Sequence, residues 1–535
     1  LTLLAAGVRA WSWQRAPLLF NDGPVFLGLA QLIDAGLWGQ ALAHPFHPLY
    51  PAAIRLVHGL VPGWERAAVT VSVLAGAMAV PLLFGLVRRV LDRGTAWLAA
   101  TALAVHPYAV VHAGDVQSDG LYLVLFLAAV LVQWRALTSR RAAGALAAGA
   151  LAGAAYLVRP EGIGVAVVGA LAACAGLGGG GPGAFPWRRR LAWVSALLGG
   201  VALVASPYLL ALHARNGAWM LTQKKSAARL AGLDVGPWRG GVGEWLDPEG
   251  AAPLRRQRPF LETVVGGPRV PDVAGVGAVG SGPLHAGVAV ALARGVAVVV
   301  AALRPELLAL LIVGIAARRG RAGAGDAYLA GLAALYLAVL AALAVGAGYV
   351  SKRHALPVAV LGLGHAALGA RVVGRRVAGW LARPGPPPAW AATLVALLLL
   401  VVFSAAKLAR PRSSGDLAER RAAEWVASRV DRGAGVAAGR LRLAYYADAP
   451  YVPLPEPEPG MDRSRIEDSL LAYLRASGVR YVIADDRRIE TLDGLGRALA
   501  SGAHPVHRVE AGGRVARVFR LDPARPASGA GAERD

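Results

Sequence analysis

The chain has 535 residues, 56% of them hydrophobic, with a mean hydropathy of +0.48. Such a chain is too apolar for an ordinary soluble domain, and its Ala, Val and Leu runs reach the roughly 20 residues that cross a bilayer. The net charge of +23 would point a soluble protein to nucleic acid, but the basic residues sit in short clusters between apolar runs, a pattern that reports membrane topology and excludes that class.

The apolar runs predict about eleven spanning segments: 1–9, 67–87, 95–112, 119–137, 142–158, 161–178, 191–212, 286–317, 326–347, 354–373 and 389–408. The first is read as the remnant of a helix cut short, because the chain opens on Leu1 rather than Met. The segment 286–317 contains Arg304-Pro305-Glu306 and is expected to be a broken helix, or a surface helix followed by a span. The single cysteine, Cys174, lies in an apolar run and excludes an internal disulfide framework and a cysteine-based metal site.

The short loops alternate in charge. Arg88, Arg89 and Arg93 follow the second span, and Arg135, Arg140 and Arg141 the fourth. Arg188 to Arg190 follow the sixth, Arg318, Arg319 and Arg321 the eighth, and Arg371, Arg375, Arg376 and Arg383 the tenth. Arginine-rich loops stay in the cytoplasm, so the other set is expected to face outward: 10–66, 113–118, 158–161, 213–285, 348–353 and everything after 409. The reading is a multi-pass protein of a bacterial inner (plasma) membrane with its working face extracytoplasmic.

Two outward parts are large. The loop 213–285 is rich in Gly and Pro and carries Lys224-Lys225 with Trp219, Trp238 and Trp245. Beyond a linker at 411–415, residues 416–523 change to ordinary amphipathic segments. They predict a helix over 416–430 with Asp416 as N-cap, a buried strand over 479–484, and a hairpin of 506–509 and 515–520 around Ala511-Gly512-Gly513. This is expected to be a small extracytoplasmic α/β domain, followed by a disordered tail at 524–535. There is no fixed-period repeat, P-loop, dinucleotide fingerprint or zinc-protease motif.

Polar groups at membrane depth are costly and therefore mark candidate sites. Asp22 heads the first loop in Asn21-Asp22-Gly23-Pro24, and His44-Pro45-Phe46-His47-Pro48-Leu49-Tyr50-Pro51 closes it. Asp115 and Asp119 are four apart and would share one face of a helix. Arg159-Pro160-Glu161-Gly162 joins two spans, Lys224-Lys225 follows another, and Ser351-Lys352-Arg353-His354 enters the tenth. Acids beside bases at one membrane face suit a phosphate-bearing lipid: cations hold the phosphate and a carboxylate accepts a proton.

The bland alternatives remain open at this point. Asp22 could be a helix cap or turn residue, and Asp115 and Asp119 could cap the fourth span. Arg159 and Glu161 could close a helical hairpin as a salt bridge, and Lys352 and Arg353 could anchor lipid headgroups. Lys224-Lys225 could be a solvated pair. His44 and His47 could bind a metal, but Pro45 and Pro48 break the helix that spacing would need, which favours a packed loop.

Three stretches carry a resemblance: the Asn21-Asp22 loop ending in His47-Pro48-Leu49-Tyr50-Pro51, the Arg159-Pro160-Glu161-Gly162 step, and Ser351-Lys352-Arg353-His354-Ala355-Leu356-Pro357. Together with the layout of residues 1–410, they resemble the GT-C superfamily, more narrowly the protein mannosyltransferase/ArnT-like (glycosyltransferase family 39-like) enzymes. The resemblance implies a GT-C-like transmembrane catalytic domain over 1–410, with a large first extracytoplasmic loop. It also implies a hexosyl- or pentosyltransferase that takes its sugar from a polyprenyl phosphate and inverts the anomeric carbon. Carried onto this chain, the general base is Asp22, with Asp119 the second candidate catalytic acid. The donor phosphate falls to Arg159, Lys352, Arg353, Lys224 and Lys225, and Asn21, Asp115, Glu161, His47, Tyr50 and His354 line substrate or loop. The partners implied are a polyprenyl-phosphate-linked sugar, a lipid, protein or glycan acceptor and the bilayer, with no nucleic acid.

The sequence departs from the commonest family pattern, in which an acid follows the first Asp and a Tyr comes shortly after. Here Gly23-Pro24 follows, with Phe26 in place of the Tyr. No cofactor is therefore predicted, and a divalent metal is left without support. Two rivals stand beside this reading: a transporter or flippase of lipid-linked sugars, which calls for paired broken helices and charges near span centres, and a GT-C-type glycan ligase using a polyprenyl diphosphate.

Overall fold

The computed structural model describes residues 1–178, 185–224, 258–271, 276–277, 288–347, 350–382, 386, 388–410, 415–431, 433–454, 456–457, 463–491 and 495–521. Two compact units emerge. The first comprises Leu1–Ala16, Leu29–Trp238 and Leu284–Arg410, and the second Pro17–Gly28, Arg239–Pro283 and Pro411–Asp535.

The first unit is helical. Among the described residues six helices are long and apolar enough to cross a membrane: Trp64–Val90, Asp119–Ser139, Trp187–Asn216, Ala324–Gly346, Lys352–Leu381 and Trp390–Ala409. Two bent pairs bring the total to eight if each counts as one span. Val288–Leu303 and Pro305–Ala317 meet at 87°, so the stretch expected to be a broken helix or a surface helix is sharply bent at Arg304. The other pair corrects an expectation. Residues 95–112 were expected as one span, but Arg93–Ala104 and Pro107–Ala113 meet at 54°. Pro107 lacks the amide that would continue the helix and restricts the residue before it, so it starts a new helix instead. The segments read as spans 142–158 and 161–178 are the shorter apolar helices Ala142–Val158 and Pro160–Cys174. The opening segment runs as the helix Thr2–Gln14. The stretch expected as a long first loop carries the helices Trp38–Ala43 and Leu49–His58, separated where Pro45 and Pro48 interrupt.

Glycine sets the closest helix crossings. A Cβ on Gly149 would overlap the Leu197 carbonyl, and one on Gly200 would overlap the Leu146 carbonyl, so Ala142–Val158 and Trp187–Asn216 meet backbone to backbone. Gly314 and Gly369 make the same kind of contact with the carbonyls of His365 and Leu310. In lipid, where burial of apolar surface drives little, such small-residue contacts hold helices together by dispersion.

The second unit is built on a five-stranded mixed sheet. Its spatial order is Tyr451–Pro453, Gly435–Ala438, Val479–Asp485, Arg514–Leu521 and Ala503–Ala511. The first three strands are parallel and the last two antiparallel. Side chains alternate between two cores. Val482 and Ala484 face a cluster with Leu470, Leu474 and Leu499, while Tyr481 and Ile483 face one with Ala422, Val426 and Leu443. The period of two thus places helices on both faces of the sheet. Ala511 pairs with Arg514 across Gly512-Gly513, which take φ of 60° and 72°, the two left-handed positions of a tight hairpin turn. The expected strand and hairpin are present. The expected N-cap role of Asp416 is corrected: Asp416 lies inside the first turn of Gly415–Ala427, where Arg440 (2.9 Å) and Arg442 (3.1 Å) bind it.

Candidate active site

The Arg159-Pro160-Glu161-Gly162 step has a physical cause. Ala142–Val158 ends at Arg159, whose backbone is extended, and Pro160 opens a single 3-10 turn to Gly162. Gly162 lies so close to Ala155 and Tyr156 that a Cβ would overlap their backbone. This tight return presents Arg159 and Glu161 on the same side of the hairpin. Arg159 Nη1 donates to Asp119 Oδ1 at 2.6 Å, and Nη2 lies 3.6 Å from Glu161 Oε1. The guanidinium also lies 5.3 Å from the centre of the Tyr122 ring. The Tyr122 and Tyr336 hydroxyls are hydrogen-bonded, and Tyr336 donates to the Glu161 carbonyl at 3.2 Å.

Arg159 is 8% exposed and Asp119 3%. Burial opposes the Arg159 charge, but Glu161 and Asp119 outweigh it and push its pKa above the usual value. Asp119 opens its helix, where the N-terminal dipole favours a carboxylate. Asp119 Oδ2 and Glu161 Oε2 are buried and accept no hydrogen bond among the described residues. Arg353, His112 and His354 lie within electrostatic reach of Asp119, and Lys224 and His354 within reach of Glu161.

A second network fixes Lys224. His47 Nδ1 is 2.6 Å from the Tyr156 carbonyl, which can only accept, so that nitrogen carries the proton. Burial, reinforced by Lys224, pushes His47 down to about 3, so the ring is neutral and Nε2 accepts from Thr222 Oγ1 at 3.3 Å. Thr222 Oγ1 in turn accepts from the Lys224 backbone amide at 3.3 Å. His47 thus ties the Tyr156 carbonyl to Thr222. Its neighbour His44 is likewise held neutral, at about 3, by burial and Lys224. The Lys224 ammonium lies 5.9 Å from the Phe46 ring centre.

Tyr50 is fully buried and hydrogen-bonded to Ser72 at 2.7 Å, and Ser72 donates to the Gln117 carbonyl at 3.1 Å. Tyr50 thus braces the bend that leads into Asp119. Burial raises its pKa, so it stays a neutral phenol. The shared helical face expected for Asp115 and Asp119 is absent. Pro107–Ala113 ends before Gly114, the next helix starts at Asp119, and Asp115 sits in the bend with its Oδ1 on the Val116 amide at 2.7 Å. Lys352 and Arg353, read together in the sequence, diverge. Adjacent helical residues point about 100° apart, and Lys352 Nζ lies 5.0 Å from the Tyr108 ring centre instead. His354 caps its own helix through Ser351. Lys225 lies outside the described residues.

Asn21 and Asp22 belong to the second unit, in the turn before the helix Gly23–Asp34. Asn21 is exposed and Asp22 half-buried. The Asp22 carbonyl accepts from the Phe26 amide at 3.2 Å, the first bond of that helix. Within that unit Leu18 is part of the core, Arg442 donates to the Leu19 carbonyl at 2.8 Å, and Arg420 to the Pro17 carbonyl at 2.9 Å. Among the described residues no three His, Cys, Asp or Glu side chains converge as a metal ion would require.

Full-length comparison with solved structures decides the fold. The chain matches ArnT from Cupriavidus metallidurans, bound to undecaprenyl phosphate, with a TM-score of 0.54 over 96% of each chain at 13% identity. The chain has an ArnT-like GT-C glycosyltransferase fold. The GT-C match extends to the archaeal oligosaccharyltransferase AglB from Archaeoglobus fulgidus, in complex with an inhibitory peptide and a dolichol-phosphate. There the TM-score is 0.51 at 13% identity, over 98% of this chain and 74% of that one. Residues 43–210 match the family described as dolichyl-phosphate-mannose-protein mannosyltransferase. No curated protein matches the chain by sequence. The GT-C core also contains residues that sequence reading missed. Tyr122 follows Asp119 by three positions and so shares its helix face, a spacing that could have revealed it. Tyr336 was signalled only as a hydroxyl inside a long apolar helix, and Thr222 by nothing beyond its nearness to Lys224.

Proposed function

We propose that the chain transfers a sugar from a polyprenyl-phosphate carrier to an acceptor at the extracytoplasmic membrane face. The observation that carries this reading is the Asp119–Arg159–Glu161 centre, a guanidinium shared by two carboxylates whose second oxygens remain open acceptors. Arg159 is committed to those carboxylates, so its role is to orient them toward sugar or acceptor hydroxyls. The leaving phosphate falls to the cations around them, Arg353 and Lys224. Asp22 is retained as general base on the family resemblance. In the step proposed, the acceptor oxygen or nitrogen bonds to the anomeric carbon from the face opposite the phosphate. The carbon–oxygen bond to the phosphate breaks, the acceptor proton passes to the carboxylate, and polyprenyl phosphate leaves. The ligands named for the ArnT and AglB structures, undecaprenyl phosphate and dolichol-phosphate, support a donor of this class.

The test is Asp22→Asn in membranes supplied with a polyprenyl-phosphate sugar. A loss of transfer of at least about 100-fold is expected for removal of a general base, and undiminished transfer removes the assignment.

One observation favours the transporter reading. Two bent helix pairs are present, with buried His106 at one break and buried Arg304 at the other. Movement of a lipid-linked sugar across proteoliposomes, without chemical transfer, would establish that alternative. Release of a polyprenyl diphosphate rather than a monophosphate would establish the ligase.

A further inference from the structure

The chain between the helices Thr2–Gln14 and Gly23–Asp34 is irregular, yet part of it is buried: Leu18 is 4% exposed and Leu19 0%. Buried backbone outside a helix or a ladder needs hydrogen-bond partners from elsewhere. The C-terminal domain supplies them. Arg420 Nη1 donates to the Pro17 carbonyl at 2.9 Å, and Arg442 Nη1 to the Leu19 carbonyl at 2.8 Å, although 423 positions separate Arg442 from Leu19. Leu18 packs in the core of that domain with Ala422, Val426 and Leu443.

Arg442 is held at both tips of its guanidinium. While Nη1 holds Leu19, Nη2 donates to Asp416 Oδ1 at 3.1 Å, and Arg440 Nη1 donates to the same oxygen at 2.9 Å. Asp416 stands in the first turn of Gly415–Ala427, the helix that also carries Ala422 and Val426. Arg442 lies in the short helix Leu441–Tyr446, anchored in the same core by Leu443. A planar fork between a fixed carboxylate and a carbonyl leaves that carbonyl little freedom.

From Leu19 this constraint reaches Asp22 in one turn. The Gly23 amide donates to the Phe20 carbonyl at 2.9 Å, which closes a four-residue turn with Asn21 and Asp22 at its centre. The turn therefore begins one residue after the carbonyl that Arg442 holds, and it ends in the helix Gly23–Asp34.

We infer that Arg442 is a positioning residue for the proposed transfer: held by Asp416, it fixes the Leu19 carbonyl and with it the Asp22 turn. The C-terminal domain is then the scaffold of the carboxylate that takes the acceptor proton. The role in transfer rests on the reading of Asp22 as general base; the hold on the turn does not.

The test uses the full chain in proteoliposomes with a polyprenyl-phosphate sugar, as wild type, Arg442→Met, Arg442→Lys, Asp22→Asn and Arg442→Met/Asp22→Asn. Amide hydrogen exchange is measured on each. Asp416 keeps Arg440 in every variant, so no acid is stranded and the domain should stay folded. In Arg442→Met, exchange over 17–28 should rise at least about fivefold while the core strand Val479–Asp485 keeps its protection. Its kcat should fall at least about tenfold, with the donor KM within about twofold. Arg442→Lys, which keeps one donor, should recover most of both. The double variant should be no slower than Asp22→Asn alone, because the two changes remove one function.

Unchanged exchange over 17–28 would overturn the inference, as would losses that multiply in the double variant. So would wild-type kcat in Arg442→Met where Asp22→Asn is slow. Exchange that rises equally in Val479–Asp485 would also overturn it, by reducing Arg442 to a stabiliser of the domain. Undiminished transfer by Asp22→Asn would remove the base assignment and, with it, the role in transfer. Faster exchange over 17–28 would then still support Arg442 as the holder of the turn, and unchanged exchange would overturn that as well.

Discussion

Arg159 donates to Asp119 at 2.6 Å while facing Glu161 at 3.6 Å, so one guanidinium is shared by two carboxylates inside the helical unit. Removing the cation leaves both acids without their nearest partner. Arg159→Met is expected to cost about 3–5 kcal/mol, the usual penalty for breaking a buried pair from one side. Thermal unfolding in detergent measures it. The double variant Arg159→Met/Asp119→Asn should recover part of the loss, and a double variant as unstable as the sum of the singles would argue against the shared charge.

Gly162 is the residue that lets the Arg159 turn close on Ala155 and Tyr156. Gly162→Val should push the 3-10 turn away from the preceding helix and separate Arg159 from Asp119. Transfer should fall by at least about tenfold, as misplacement of positioned groups does. Gly164→Val, on the same helix but facing only the Leu335 side chain, should have a much smaller effect. Equal effects would show that the turn's tightness is immaterial.

His47 links protonation to the placement of Lys224. Its pKa is lowered by burial to about 3. A group whose folded pKa lies below its unfolded value stabilises the fold above the unfolded pKa and loses that contribution as pH falls toward the folded one. Stability should therefore decline from about pH 6.5 downward. His47→Gln should flatten this slope in thermal melts between pH 7 and pH 5. In transfer assays at pH 7 it should raise the donor KM, through loss of the Thr222–Lys224 bond, more than it lowers kcat. An unchanged pH slope would contradict the neutral His47.

Much of the fold is legible in the sequence. Gly512-Gly513 between alternating apolar runs announces its hairpin, because two left-handed residues are needed there and glycine supplies them. Arg304-Pro305-Glu306 announces a break. The break before Pro107 is not legible in hydropathy, which stays high across it and averages away a single missing amide. The acids of the centre were legible singly, since acids in apolar surroundings demand a reason. Their pairing was not: Asp119 and Arg159 are 40 positions apart, and only the packing of their two helices brings them together. Asp115 and Asp119 share no helical phase, because Gly114 ends one helix and Asp119 begins another, so the four-residue spacing carries no common face.

The Gly149–Leu197 and Gly200–Leu146 contacts leave no room for a side chain. Gly149→Val or Gly200→Val should destabilise the helical unit by several kcal/mol through overpacking, at the upper end of what such insertions cost. Loss of the monodisperse peak in detergent gel filtration, with Gly199→Val on the neighbouring exposed position unaffected, is the expected pattern.

The most direct measurement follows the donor itself. Proteoliposomes of the full chain receive a polyprenyl-phosphate sugar labelled in the sugar, together with a membrane extract as the acceptor source. The lipid products are then resolved by mass spectrometry. Free polyprenyl monophosphate should appear in step with labelled acceptor, and both should be lost in Asp22→Asn. Intact donor recovered in the opposite leaflet, with no monophosphate released, would contradict transfer and identify a transporter.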